Sequence, residues 1–171
     1  MDDPIREDKV VADVVRTRQL QIVDSNDQLR AAVGTTSNGE VALALYDETG
    51  KTRIILSHDP AQLSLLQFKA ADGSTRAAMV AQDDGTCAVM LYDQEGMLRV
   101  TVSNTDHNAV LSLRDRNGNE LVQAIASSNY TGGILLKDEG GTPRIAVRVL
   151  PTGEPSVVLV DEQNNPIGKL P

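Results

Sequence analysis

The sequence predicts an all-β fold made of seven tandem β-hairpin repeats of about 23 residues, joined as an antiparallel meander. Three observations carry this expectation. The stretch LALYDETGKTRIIL at 43–56 returns as VMLYDQEGMLRVTV at 89–102, with Tyr-Asp, Gly and Arg in the same places. The apolar residues on both sides alternate with period two, the signature of a half-buried strand. Between them lies a column of Gly, Asp or Asn, residues that tolerate positive φ.

With the Asp of LYD as position zero, the units are anchored in order at Asp24, Asp47, Ala70, Asp93, Asp115, Asp138 and Asp161, in steps of 23 or 22 residues. Three positions on stand Asp27, Gly50, Gly73, Gly96, Gly118, Gly141 and Asn164. Six positions on stand Arg30, Arg53, Arg76, Arg99, Leu121, Arg144 and Ile167.

Unit 1 brings Leu20 and Ile22 before its turn and Ala31 and Val33 after it; unit 2 brings Leu43 and Leu45, then Ile54 and Leu56. Unit 3 follows with Leu66 and Phe68, then Ala77 and Met79, and unit 4 with Val89 and Leu91, then Val100 and Val102. Units 5 to 7 continue with Leu111 and Leu113, Ile134 and Leu136, and Val157 and Leu159 on their first arms. Two arms in each of seven units give fourteen short strands.

The dipeptides Thr49-Gly50, Asp72-Gly73, Asn117-Gly118 and Gly140-Gly141 predict two-residue type I′ loops. On that geometry the residue two before zero pairs with the one seven after, and four before with nine after, so the apolar columns share one face. The Arg column then pairs with the residue before Asp, Tyr46 with Arg53 and Tyr92 with Arg99. TSNGE, QDDGT and LPTGE between units fit a three-residue loop with a Gly bulge. HDPAQ and NTDHN are irregular versions, and SSNYTGG keeps the turn chemistry.

The boundaries follow. Residues 1–17 form a charged N-terminal segment, partly flexible, in which Val14 and Val15 could extend the first strand, and 18–171 form the single repeat domain. The last unit carries Pro166, Gly168, Lys169 and Pro171, which would blunt its edge against further pairing. No basic n-region with an apolar core and no run of 18 apolar residues is visible, so neither a signal peptide nor membrane insertion is expected.

A single layer cannot bury a face headed by Leu43, Leu45, Leu66, Phe68, Val89, Leu91, Leu111 and Leu113. A ring of about fourteen strands would enclose a lumen too wide for Val and Leu to fill, and 46-residue blades would give fewer than four. Packing of copies as a sandwich or a three-sided prism is the expected solution, the trimer favoured because Ala recurs seven and nine positions after zero. A monomeric β-solenoid is the alternative.

The consensus LxLYDxxGxxRAxL, with its lead-in VVRTRQLQIVDSNDQLRAAV, resembles a group of uncharacterised bacterial proteins with tandem β-hairpins. It is similar in design to the trimeric β-stalks of fibres and phage tails. The resemblance spans about residues 18–170 and rests on turn and core residues, so it implies a fold and transfers no site.

Chemistry is sparse. The net charge of −8 repels nucleic acid, and one cysteine, Cys87, allows no internal disulfide and gives no metal spacing. The Asp column reads as turn capping, and DRNGNE at 115–120 is a fragment of a calcium loop without its remaining ligands. His58 and His107 lie in connections without an activated nucleophile, and Cys87 reads as a small half-buried residue.

No catalytic, cofactor or metal residues are expected, and no cofactor. The remaining candidate is an outer stripe of Tyr46, Arg53, Arg76, Tyr92 and Arg99, read either as Arg stems with heads on nearby carboxylates or as a glycan- or protein-binding surface. The expected role is a non-enzymatic rod, stalk or fibre subunit, partnered chiefly by itself, at a cell surface or outside the cell.

Overall fold

The computed structural model describes residues 12–61, 63–105, 107–128 and 132–170. Most of the charged N-terminal segment, residues 129–131 of the SSNYTGG connection, Gln62, Asp106 and Pro171 lie outside them.

The described residues form fourteen strands and no helix. In chain order these are β1 Gln19–Val23, β2 Leu29–Thr35, β3 Val41–Tyr46, β4 Thr52–His58, β5 Leu63–Lys69, β6 Thr75–Gln82 and β7 Cys87–Tyr92. They continue as β8 Leu98–Asn104, β9 Asn108–Arg114, β10 Glu120–Ser127, β11 Gly132–Lys137, β12 Pro143–Val149, β13 Pro155–Val160 and β14 Pro166–Leu170. All pair antiparallel with their sequence neighbours in one sheet of order β1 to β14. That connectivity is a meander, and it excludes the solenoid, whose coils would stack in parallel.

Among the described residues each strand touches only the strand before and after it, so the sheet is open and has no second layer. The first strand begins at Gln19, and Val14 and Val15 stand exposed outside it. In the last unit β14 forms in spite of Pro166, which sits at the first residue of the strand, where no ladder N–H is required of it.

The repeat register holds. Leu45 pairs with Ile54 and Leu43 with Leu56, and the row continues through Ile54 with Phe68 and Leu56 with Leu66. The four apolar columns therefore share one face, as period two demands.

The loop beneath that register differs from the expected one. In unit 2 Gly50 N–H donates to Asp47 O at 3.0 Å and Asp47 N–H to Lys51 O at 2.9 Å. Only Gly50 has positive φ, +79°, whereas a type I′ loop needs two such residues in succession. The tip is a type I turn closed by a left-handed residue, a three-residue loop, and Asp27 (φ 60°) and Asn164 (φ 64°) take the left-handed place in units 1 and 7.

A shorter pairing at the tip would shift the strands by one residue. A β-bulge restores it. Tyr46 pairs with Thr52, and the register then jumps so that Leu45 meets Ile54, leaving Arg53 as the extra residue. The same jump occurs at all seven hairpins, from Val23 with Leu29 in unit 1 to Val160 with Pro166 in unit 7. The expected pairs Tyr46 with Arg53 and Tyr92 with Arg99 are thus replaced by Tyr46 with Thr52 and Tyr92 with Leu98.

The sheet has two unlike rims. The hairpin rim holds the seven tips with bulges. The connection rim holds the links between units, where Thr36–Glu40, Gln82–Thr86 and Leu150–Glu154 form the three-residue loop expected, with Gly39, Gly85 and Gly153 left-handed and no bulge after them.

Candidate functional site

The stripe containing Tyr46, Arg53, Arg76, Tyr92 and Arg99 runs along the hairpin rim, and its geometry starts from the Asp at zero. Asp47 Oδ1 accepts the N–H of Thr49 at 2.9 Å, the N–H of Lys51 at 3.1 Å and the Thr49 hydroxyl at 2.7 Å. These bonds satisfy turn donors that no strand partner reaches. Oδ2 is left free, and Arg53 Nη1 donates to it at 3.3 Å.

The bulge explains why arginine stands at position six. As the extra residue it is re-aimed along the rim, back over its own turn. Its other end reaches forward: Arg53 Nε donates to Lys69 O at 3.0 Å and Arg99 Nε to Arg114 O at 2.8 Å. Arg76 and Arg144 reach forward through Nη1 instead, donating to Asp93 O and Asp161 O. Each of these guanidiniums ties one hairpin tip to the next. In unit 1 the Arg30 to Asp24 bond forms at 3.4 Å, but Arg30 Nε is buried without an acceptor.

Units that lack one part of the motif replace it. In unit 3 zero is Ala70, and Arg76 pairs instead with Asp72 at 3.5 Å. Units 5 and 7 have Leu121 and Ile167 where Arg is missing, and the side-chain amides of Asn119 and Asn165 fill Oδ2 of Asp115 and Asp161 at 3.0 and 3.2 Å. In unit 5 Arg114 and Lys137 also converge on Glu120. The sequence carries this signal, since Asn stands at position four in the two units whose position six is apolar; the expected reading missed it.

The electrostatics follow from those bonds. The Thr49 hydroxyl, with the N–H groups of Lys51 and Thr49 and the Arg53 guanidinium, holds the Asp47 carboxyl down to about 2 against the cost of lost hydration. Backbone N–H groups lead the same lowering at Asp24, Asp138 and Asp161. At Asp93 and Asp115 desolvation is the largest influence and opposes the shift, but the turn N–H groups and neighbouring side chains outweigh it.

The tyrosines face elsewhere. Tyr92 Oη contacts Met90 Sδ at 3.3 Å, and Tyr46 borders a shallow depression with Ala32, Gly34 and Ala44. The stripe is therefore an ion-paired rim beside two separated tyrosines. His58 Nδ1 lies 3.1 Å from Ser64 Oγ, and His107 lends its carbonyl to Ser128 N–H. Cys87 is exposed at a strand start, where half-burial was expected. Among the described residues no three His, Cys, Asp or Glu side chains gather as a metal site.

The aliphatic face is the second candidate surface. Leu56 is 52% exposed, Met79 50% and Phe68 42%, and Leu45, Val89, Leu91, Leu111 and Leu113 are exposed too; Leu43 and Leu66 are half-buried. The chain exposes 12403 Å2, half as much again as the roughly 8,100 Å2 of a compact protein of its mass.

The opposite face is better covered. It holds Ala78 at 3% exposure with the buried Ser57, Ser112 and Ser156. These small residues lie in valleys between longer neighbours, Ala78 between Gln67 and Met90. Leu65, Val80, Val110 and Leu135 on this face are half-buried, so it is mixed and not simply polar. A depression of about 240 Å3 lies there between Ile125, Gly133, Leu135 and Arg148. It is the gap left where β11 and β12 approach closely, since a Cβ on Gly133 would come within 2.9 Å of Val147 O.

Compared with known protein families and with curated proteins, the chain matches none.

Proposed function

We propose that the protein is a non-enzymatic structural subunit, a β-repeat rod or stalk that associates with copies of itself through its aliphatic face. The single observation that carries this reading is the uncovered face. Contiguous apolar patches beyond a few hundred Å2 mark association surfaces.

The occupant is argued from area, twist and charge. Strands about 17 Å long at about 4.8 Å spacing give roughly 1,100 Å2 of face per copy, so two copies would bury roughly 2,200 Å2, within the range of obligate homo-oligomers. An ordinary twist of about −20° per pair carries a fourteen-stranded ribbon through roughly 260°. A globular partner would follow that surface over a short stretch, whereas a second copy has the same pitch throughout. The net charge of −8 opposes docking on an anionic membrane or a polyanion.

Three copies around a shared apolar axis are favoured over two, since small residues recur beside the larger ones. A surface or extracellular stalk is the setting in which such a rod would serve. The alternative, a glycan- or protein-binding module using Tyr46, Arg53, Arg76, Tyr92 and Arg99, has less to support it, because the guanidiniums already hold carboxylates and carbonyls of their own rim. Light scattering at micromolar concentration tests the proposal: a mass of two or three chains is expected, and a stable folded monomer refutes it.

A further inference from the structure

Two features make the rims of the aliphatic face unlike. The first is a taper. Three rows of side chains run the length of this face. The rows toward the hairpin rim are mostly large, with Leu45, Ile54, Phe68 and Leu91, then Leu56 and Leu66, and with Ala31, Ala77 and Ala124 set among them. The third row, along the connection rim, carries Ser64, Ala81, Cys87, Ala109, Ala126 and Gly132, interrupted by Thr35, Val41, His58, Asn104, Val149 and Pro155. One long margin of the face is tall and the other is low.

The second feature is charge. The seven ion pairs among the described residues all lie at the hairpin rim. The connection rim carries Glu40, Asp59, Asp83, Asp84 and Glu154, none of which makes an ion pair among those residues.

We propose that copies of the chain meet with unlike rims together, the hairpin rim of one along the connection rim of the next and unit 1 beside unit 1. This rests on association through the aliphatic face. Like rims together would stack tall rows on tall rows and leave a void over the low ones, which close-packed interiors do not tolerate. They would also bring two unpaired carboxylate rims to one edge. Unlike rims set tall against low at a constant separation, and keep the two carboxylate-bearing connection rims apart.

Symmetry then narrows. A three-fold prism about the long axis of the sheet, or a two-fold axis along it, puts unlike rims together. A two-fold axis along the strands puts like rims together and unit 1 over unit 7.

Cys87 and Glu95 separate these arrangements, because both are exposed in unit 4, the middle unit, at the connection and hairpin rims respectively. The Glu95→Cys chain, keeping Cys87, is treated with a short bismaleimide and its cross-linked peptides are mapped. The expected species joins residue 87 of one copy to residue 95 of another, and it is lost in the Cys87→Ser, Glu95→Cys chain. Links of 87 to 87 and 95 to 95 overturn the proposal. An oligomer by light scattering that gives no mixed link overturns the rim arrangement and leaves self-association standing; a monomer overturns self-association itself.

Discussion

The hairpin rim and the connection rim are built on the same backbone turn and differ in everything around it. Both use a three-residue loop closed by a left-handed residue, Gly50 and Gly96 at one rim and Gly39 and Gly153 at the other. At the connection rim the loop opens with Thr36, Gln82 or Leu150, so the turn itself does not require Asp. At the hairpin rim Asp is present wherever an Arg or Asn reaches back to its free oxygen, and Ala70 shows that the turn closes without it. The recurring Asp and Arg thus belong to the bulge and to the tie between tips, and the recurring Gly belongs to the turn.

The largest expected effect tests the shared turn. Gly96 and Gly153 have φ of +81° and +88°, and a Cβ on either would meet nothing within 4 Å. A Gly→Ala substitution there costs backbone conformation alone, about 1–2 kcal/mol for a left-handed L residue. Gly96→Ala and Gly153→Ala should lower the urea midpoint by similar amounts at a fixed protein concentration. Clearly unequal losses would break the claim that one turn serves both rims.

A smaller effect tests what the hairpin rim adds. Asn119→Ala leaves Oδ2 of Asp115 without its 3.0 Å donor, and a fraction of the glycine effect is expected. Adding Leu121→Arg should restore most of the loss, because units 1, 2, 4 and 6 place Arg at that position on the same oxygen. Gln28→Ala in unit 1, where Arg30 supplies the pair and Gln28 contributes only its backbone N–H and carbonyl, should change little. A double variant no better than Asn119→Ala would show that the two residues are not alternatives.

The difference between the rims also explains what was readable in the sequence. The meander, the fourteen strands and the aliphatic face came from period two and from the 23-residue step, which a bulge does not disturb. The turn type was misjudged because two deviations cancel. The three-residue loop at Thr49 and Gly50 shifts the register one way and the bulge at Arg53 shifts it back, so Leu45 meets Ile54 as a two-residue loop would also require. Parity cannot distinguish these.

The destination of the arginines was misplaced for the same reason. An ordinary strand residue at 53 would stand across from Tyr46, and only a bulge residue can turn back to Asp47 and on to Lys69. The taper of the face was present in the sequence as Ala81, Cys87, Ala109 and Ala126, but the register that aligns these four along one margin had to be seen.

The smallest expected effect is a response of the hairpin rim to acid that the shared backbone turn does not have by itself. Asp47 is held at about 2 in the folded chain, below the ordinary 3.8, and Asp24, Asp93, Asp115, Asp138 and Asp161 are lowered as well. A carboxyl whose folded value lies below its unfolded value stabilises the fold fully above the unfolded value, and that contribution fades as pH falls toward the folded value. The window is therefore from about pH 4 down to about pH 2. The Thr49 and Lys51 N–H groups, which donate to Asp47, should lose hydrogen-exchange protection across it. Gly39 N–H, which donates to the backbone carbonyl of Thr36, should keep its protection relative to the intrinsic rate. Equal loss at both rims would mean that the sheet opens as a whole in acid, and that the carboxylate caps add nothing local to the tips.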